Sequence, residues 1–313
     1  MMKKRLLIVL TIFSSAIAFL SCKQDNDNEK VIENEINNNS YDCPEYLMNN
    51  KQNNLNISLL LDLSDRINPI KYPSTPSYFE RDLGYIESIS LAFSNHVLSK
   101  KSILIKDKIQ VFLEPNPNDE AINQKISLLK RDLTRDNATR ENIKNVLPLY
   151  KKTAGDIYNL AIKDNNFIGS DIWRFFKDKA KHYAVEDCYR NILIIITDGY
   201  LYHKDTKLIE NGKTSYITPQ YLRRIKLTKS NFKDLMNEKN YGFIQTRQDL
   251  SDLEVLVLGI QNHDKKNPYG KEVIEEYWSQ WLKSMDIKRF EIHSTDLPTH
   301  MSKIIDTFIK TRN

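Results

Sequence analysis

An α/β fold, with a Rossmann-like and mostly parallel central sheet flanked by helices on both faces, is predicted by three apolar runs and by what separates them. The runs are Ile57–Leu61, Asn191–Ile196 and Leu253–Ile260. Each is nearly continuous in apolar residues, as strands covered on both faces are. Between them lie segments with apolar residues three and four apart, long enough for the helical crossovers that parallel strands require. The first two runs break directly into acids, Asp62 and Asp198. Open α/β sheets gather their ligands outside the carboxyl ends of the strands, so these acids mark the place to look for a site.

The elements follow in order. After Ile57–Leu61 the chain turns polar at Asp62, Ser64, Asp65 and Arg66. Ser77-Tyr78-Phe79-Glu80 has a capping-box pattern, and Ile86, Ile89, Phe93 and Val97 give the helix that follows one apolar face. Lys108 to Glu114 alternates and stops at Pro115-Asn116-Pro117, which predicts a strand and a turn. From Asp119 to about Lys163 the pattern is helical, with Ile122, Ile126, Leu129 and Leu133 in one stretch, a break at Asp136–Thr139, and Ile143, Val146 and Leu147 in the next. A glycine-containing loop, Asn166 to Trp173, opens into a helix ending near His182. Beyond the Asn191 strand, an insertion at about 199–252 carries a helical piece near Pro219 to Lys239; it reads as a solvated loop or, alternatively, as a lid or ligand surface beginning at Tyr200, Tyr202 and His203. After Leu253–Ile260 come His263-Asp264, a polar turn or a pair backing the site, then a helix from Pro268 to Met285, a last strand from Arg289 to His293, and a closing helix with Pro298 in its first turn.

The 313-residue chain is 40% hydrophobic and 28% charged, ample for one large domain. Lys3, Lys4 and Arg5 precede an apolar run from Leu6 to Leu20, short for a membrane span and suited to a secretory signal. The run ends Phe19-Leu20-Ser21-Cys22, which resembles a bacterial lipobox, with Phe19 where leucine is more usual. That resemblance implies removal of residues 1–21 and lipid attachment at Cys22, hence an anchor in the cell envelope, on the outer membrane rather than across it. Removing residues 1–21 with their three positive charges takes the formal net charge from +5 to +2. The remaining balance gives no footing for nucleic-acid binding. Residues 22–54, rich in Asn, Asp and Glu, are predicted to be a polar tether, and 55–313 the folded domain. With Cys22 lipidated, Cys43 and Cys188 remain as one candidate disulfide or as two free thiols.

Three short pieces carry hydroxyls and carboxylates toward the predicted sheet edge: Asp62-Leu63-Ser64, Gly169-Ser170-Asp171 and Thr197-Asp198-Gly199. Such an oxygen-rich set suits a hard cation. In order and placement it resembles the metal-ion-dependent adhesion site of von Willebrand factor A domains, and the resemblance runs from about Leu55 to Thr311. It implies a six-stranded sheet whose antiparallel edge strand the sequence does not locate. It also implies Asp62, Ser64, Ser170 and Asp198 as ligands of Mg²⁺ or Mn²⁺, with Ser170 replacing the family's threonine. Arg66 stands where the family has its second serine. A guanidinium there can pair with Asp62 and Asp198 in place of an ion, or point outward to a ligand.

The expected function is binding of a protein or other acidic ligand, completed through the ion where one is held, on a membrane-anchored domain that is not an enzyme. A non-catalytic scaffold with a degenerate, metal-free site is the alternative. A metal-assisted hydrolase using Asp62 or Asp198 is a third, but the chain has no His-Glu-x-x-His, no Gly-x-Ser-x-Gly and no phosphate-cradling glycine loop.

Overall fold

The computed structural model of the protein describes residues 53–167 and 169–311. The signal segment, Cys22, Cys43 and the tether up to Gln52 lie outside the described residues. Among the described residues no helix is long and apolar enough to cross a membrane.

The core is a six-stranded sheet: β1 (Leu55–Leu61), β2 (Lys106–Phe112), β3 (Lys130–Thr134), β5 (Arg190–Ile196), β10 (Leu253–Ile260) and β11 (Arg289–Ser294). A two-stranded ribbon of β4 (Gly169–Ser170) and β6 (Tyr202–His203), and a small sheet of β7 (Ile209–Glu210), β8 (Lys213–Thr214) and β9 (Gly242–Phe243), complete the strands. The main order is β11-β10-β5-β1-β2-β3, parallel throughout except at β3. Every residue of β1 and of β5 is buried, because both strands lie inside the sheet with helices above and below. This is the predicted α/β architecture.

Pleating divides the core in two. Leu55, Ile57, Leu59 and Leu61 with Ile192, Ile194 and Ile196 face the helices α1 (Tyr78–Leu98), α2 (Glu120–Leu128), α3 (Arg140–Asp164) and α9 (Pro298–Lys310). Leu60, Leu193, Ile195, Val255 and Val257 face the other layer. That layer holds α4 (Ile172–Arg174), a π-helical turn (Phe175–Lys179), α5 (Ala180–Tyr183), α6 (Pro219–Arg224), α7 (Phe232–Lys239) and α8 (Gly270–Ser284). Each fully buried Leu, Ile or Phe contributes about 1.5–3 kcal/mol, so the doubly covered strands dominate stability. α1 begins at the capping box: Ser77 N–H and Oγ both donate to Glu80 Oε2 at 2.7 Å.

Three expectations are corrected. The stretch around Leu129 and Leu133 is not all helix, for α2 ends at Leu128 and Lys130–Thr134 is the antiparallel edge strand. With one covered face, β3 buries Leu133 alone, and charged neighbours on a short edge strand hide its alternation. The helical piece near Pro219–Lys239 is two helices, α6 and α7, separated at Lys226, whose φ of 63° ends the first. The insertion is no solvated loop either, since Ile217, Leu222, Leu227, Phe232, Met236 and Phe243 join the second core. Its Phe243 ring packs 4.9 Å from Trp281 and 5.3 Å from Tyr277 of α8.

Where the tether was expected to reach Asn54, Asn54 is fully buried and donates to the Cys188 carbonyl at 3.3 Å. The Asn53 carbonyl accepts from Lys100 Nζ at 2.9 Å. Cys188 is disulfide-bonded; Cys43, its candidate partner, is outside the described residues.

Candidate ligand-binding site at the carboxyl edge of the sheet

β1 ends at Leu61, and the Asp62 N–H extends its ladder by donating to the Ile196 carbonyl at 3.0 Å. The carboxylate is fully buried. Its Oδ1 accepts from Ser64 N–H at 2.9 Å, and its Oδ2 accepts from the Thr197 hydroxyl at 2.8 Å. Thr197 Oγ1 in turn accepts from Gly199 N–H at 3.1 Å, so the loops after β1 and β5 are tied together.

Arg66 lies in the 3₁₀ turn Asp65–Ile67, and its side chain is 3% exposed. Its guanidinium does not reach outward. Nη2 donates to Asp82 Oδ2 at 2.7 Å and to the Ile196 carbonyl at 3.3 Å, Nη1 donates to Asp82 Oδ1 at 3.5 Å, and Nε lies 3.6 Å from Asp62 Oδ2. Asp82, from the buried face of α1, also accepts from the Tyr158 hydroxyl of α3 at 3.0 Å. Burial works against the Arg66 charge, but Asp82 and Asp62 more than offset it and keep it firmly protonated. Burial pushes the Asp62 carboxyl up to about 6, although Arg66 pulls it down; Asp198 adds to the rise. Asp82 is raised as well, by burial, against the pull of Arg66.

The sign of the Asp62 shift gives a testable pH dependence. A folded pKa above the ordinary 3.8 means the native state keeps a proton that the unfolded chain has lost, so this group makes stability fall as pH rises from about 4 to about 6. Urea midpoints across that range should decline less in Asp62→Asn than in the parent; parallel curves would remove Asp62 from the effect.

Asp198 follows β5 and is 7% exposed. Its Oδ1 accepts from Tyr200 N–H at 2.9 Å, and its Oδ2 lies 3.0 Å from His263 Nε2 without hydrogen-bond alignment. The His263 ring sits among Tyr72, Tyr78 and Tyr200, with ring centres 4.6, 5.8 and 6.1 Å away. Ser170, in β4, is 4% exposed, and its hydroxyl has no hydrogen-bond partner among the described residues.

These groups border a cleft of about 320 Å³ lined by Ser64, Asp65, Ser170, Asp198 and His263, with Tyr72, Tyr200 and Tyr202 on its walls. Asp65 is bonded to Lys71 on the same wall. A smaller and more apolar hollow of about 70 Å³, lined by Leu63, Leu113, Pro115 and Ile122, shares Phe167, Gly169 and Ser170 with the cleft. Thus Ser64, Ser170 and Asp198, expected from sequence as ligands, meet at one opening, with Asp62 buried beside it. Of the two placements open to Arg66, between Asp62 and Asp198 or outward to a ligand, it takes neither; it bridges Asp62 and Asp82. Sequence reasoning missed Asp82 and Tyr158; it placed Thr197 in the site without its bond to Asp62, and His263, read as a polar turn or as a residue backing the site, stands against Asp198.

The donor set is a poor fit to Mg²⁺, which demands six oxygens in near-octahedral geometry. Asp62 is satisfied by Ser64, Thr197 and Arg66, the third position is a buried cation, and the free oxygen of Asp198 faces His263. Among the described residues no cluster of three or more His, Cys, Asp or Glu is arranged to hold a metal.

No protein-family model and no curated protein matches the chain. Among solved structures, an aerotolerance-related membrane protein from Bacteroides fragilis is 12% identical, with 82% of this chain and 98% of that one covered, at a TM-score of 0.35. A pilus adhesin from Lactobacillus rhamnosus GG is 11% identical over 82% of this chain at a TM-score of 0.39. The chain spans 30% of that adhesin.

Proposed function

We propose that the protein is an envelope lipoprotein, anchored through Cys22, whose von Willebrand factor A-like domain binds a partner in the cleft at the carboxyl edge of β1 and β5 without a resident metal ion. The observation that carries this reading is the buried Arg66 guanidinium between Asp62 and Asp82, a fixed positive charge where an ion-dependent site would keep a ligand hydroxyl. Buried charges persist when they are paired and hydrogen-bonded, and this one meets both acids and a backbone carbonyl. The proposed role is binding, without catalysis.

The test is calorimetric titration of Mg²⁺ and Mn²⁺ into chelator-stripped protein. No saturable heat at millimolar ion is expected, and Arg66→Ser in a folded variant should create ion affinity by restoring a hydroxyl and removing the competing charge. Saturable binding by the parent, lost in Asp198→Ala, would overturn the metal-free reading and return the site to Ser64, Ser170 and Asp198 as ion ligands.

A further inference from the structure

We infer that the cleft receives a primary ammonium group, the lysine side chain of a partner protein, held by Asp198 and Ser170. The inference rests on the metal-free reading above and gives the ligand a charge opposite to the one an ion-bridged site would select.

Charge comes first. Asp65 and Asp198 line the cleft, and Lys71 is its lysine, already bonded to Asp65. Arg66 also acts on Asp198, but it is buried and paired with two acids, Asp62 and Asp82, so the three together bring no net positive charge to the opening. Asp62 remains near enough to Asp198 for the two carboxylates to act on one another. The lining acids Asp65 and Asp198 therefore exceed the lining lysine, Lys71, by one charge, and an acidic side chain would meet Asp198 with no unpaired lysine or arginine on the lining.

Hydrogen bonding is the second, independent line. The Ser170 hydroxyl is buried without a partner among the described residues, and an unsatisfied buried polar group costs about 1–3 kcal/mol. Ser170 stands directly opposite Tyr202 in the β4–β6 ribbon, so both side chains leave it on the same side, and both residues line the cleft. An ammonium carries three donors and no acceptor. It can donate to Ser170 Oγ and to the Asp198 oxygen that His263 approaches without alignment. The walls suit the same group: Tyr72 and Tyr202 already carry the ammoniums of Lys71 and Lys207 over their rings, at 5.4 and 5.5 Å.

The experiment is a saturation-transfer NMR titration of the purified full-length protein with acetyl-Gly-Lys-Gly-amide, against the same peptide with norleucine or glutamate in place of lysine. The lysine peptide should bind, norleucine should lose at least tenfold, and glutamate should not bind. Asp198→Asn should weaken the lysine peptide tenfold or more. Ser170→Ala, which removes no bond made within the described protein and so should fold, should weaken it by roughly tenfold, as for a hydrogen bond to a charged group. No binding of the lysine peptide, or binding indifferent to both variants, overturns the inference and leaves the metal-free reading to its own ion titration. Binding of the glutamate peptide that requires Mg²⁺ overturns both.

Discussion

Arg66→Met is expected to lower the free energy of unfolding by about 3–5 kcal/mol at pH 7, the cost of stripping a buried ion cluster of its cation. Methionine fills much of the arginine's volume, so the loss is electrostatic more than a packing defect. Two carboxylates, Asp62 and Asp82, would be left facing one another at 0% and 2% exposure, one still held by Thr197 and the other by Tyr158. Their remedy is to take up a proton, so the deficit should shrink as pH falls toward 5. Replacing all three, as Asp62→Asn, Arg66→Met and Asp82→Asn together, should recover most of the stability, since a buried ion cluster is often worth no more than a neutral substitute of similar size. Urea unfolding of the single and triple variants at pH 5 and 7.5 checks this. An Arg66→Met midpoint unchanged at pH 7.5 would mean that water or an ion reaches these acids, against the sealed arrangement described.

The residues legible in the sequence are those whose chemistry is announced by position along a strand. Asp62 follows an apolar run directly and Asp198 follows one after the single Thr197, and Ser170 follows a glycine whose φ of 87° turns the chain into β4. What escaped lies on other elements. Asp82 comes twenty residues after Asp62 and belongs to a helix, and Tyr158 comes from a different helix again. A signal for Asp82 did exist: it precedes Ile86 by four and Ile89 by seven, so a carboxylate sits on the buried stripe of α1 and has to find a cation there. For Arg66 the sequence leaves pairing with Asp62 and Asp198 and an outward reach both open, because it contains no measure of which acid the guanidinium can reach.

Fold legibility followed the same rule. Strands covered twice, β1, β5 and β10, are unmistakable because burial on both faces forces continuous apolar character. β3 has one face to cover and five residues to do it with. The insertion disguises its core in another way, by spreading single apolar residues such as Ile217, Leu227 and Phe243 between polar turns so that no period emerges. Its packing matters to function, because Thr218, Pro219 and Gln220, at the start of α6, form one wall of the cleft. The cleft is therefore bordered by an extension of the second core.

Gly199→Ala should cost roughly 2–5 kcal/mol, the sum of a left-handed backbone penalty and of overpacking. Gly199 directly follows Asp198 at φ 90°, where a side chain is strained whatever space surrounds it. Here there is none: a Cβ would lie 2.5 Å from Ile274 Cγ2 and 2.6 Å from Ile260 Cδ1, both inside the second core. The loop has nowhere to yield, because the Gly199 carbonyl accepts from Trp278 Nε1 at 3.0 Å and its N–H donates to Thr197 Oγ1. Strain at 199 therefore passes to Thr197 and Asp198, and ligand affinity should fall along with stability. Gly155 supplies the control. It lies within α3 with open space where a Cβ would go, so Gly155→Ala should stabilise by about 0.5–1 kcal/mol through helix propensity alone. Thermal melts of the two variants should thus move in opposite directions from the parent. If Gly199→Ala melted with the parent and kept Asp198 competent, the turn after β5 would be adaptable, and the cleft would owe its shape to its walls instead of to the strand end that delivers the acid.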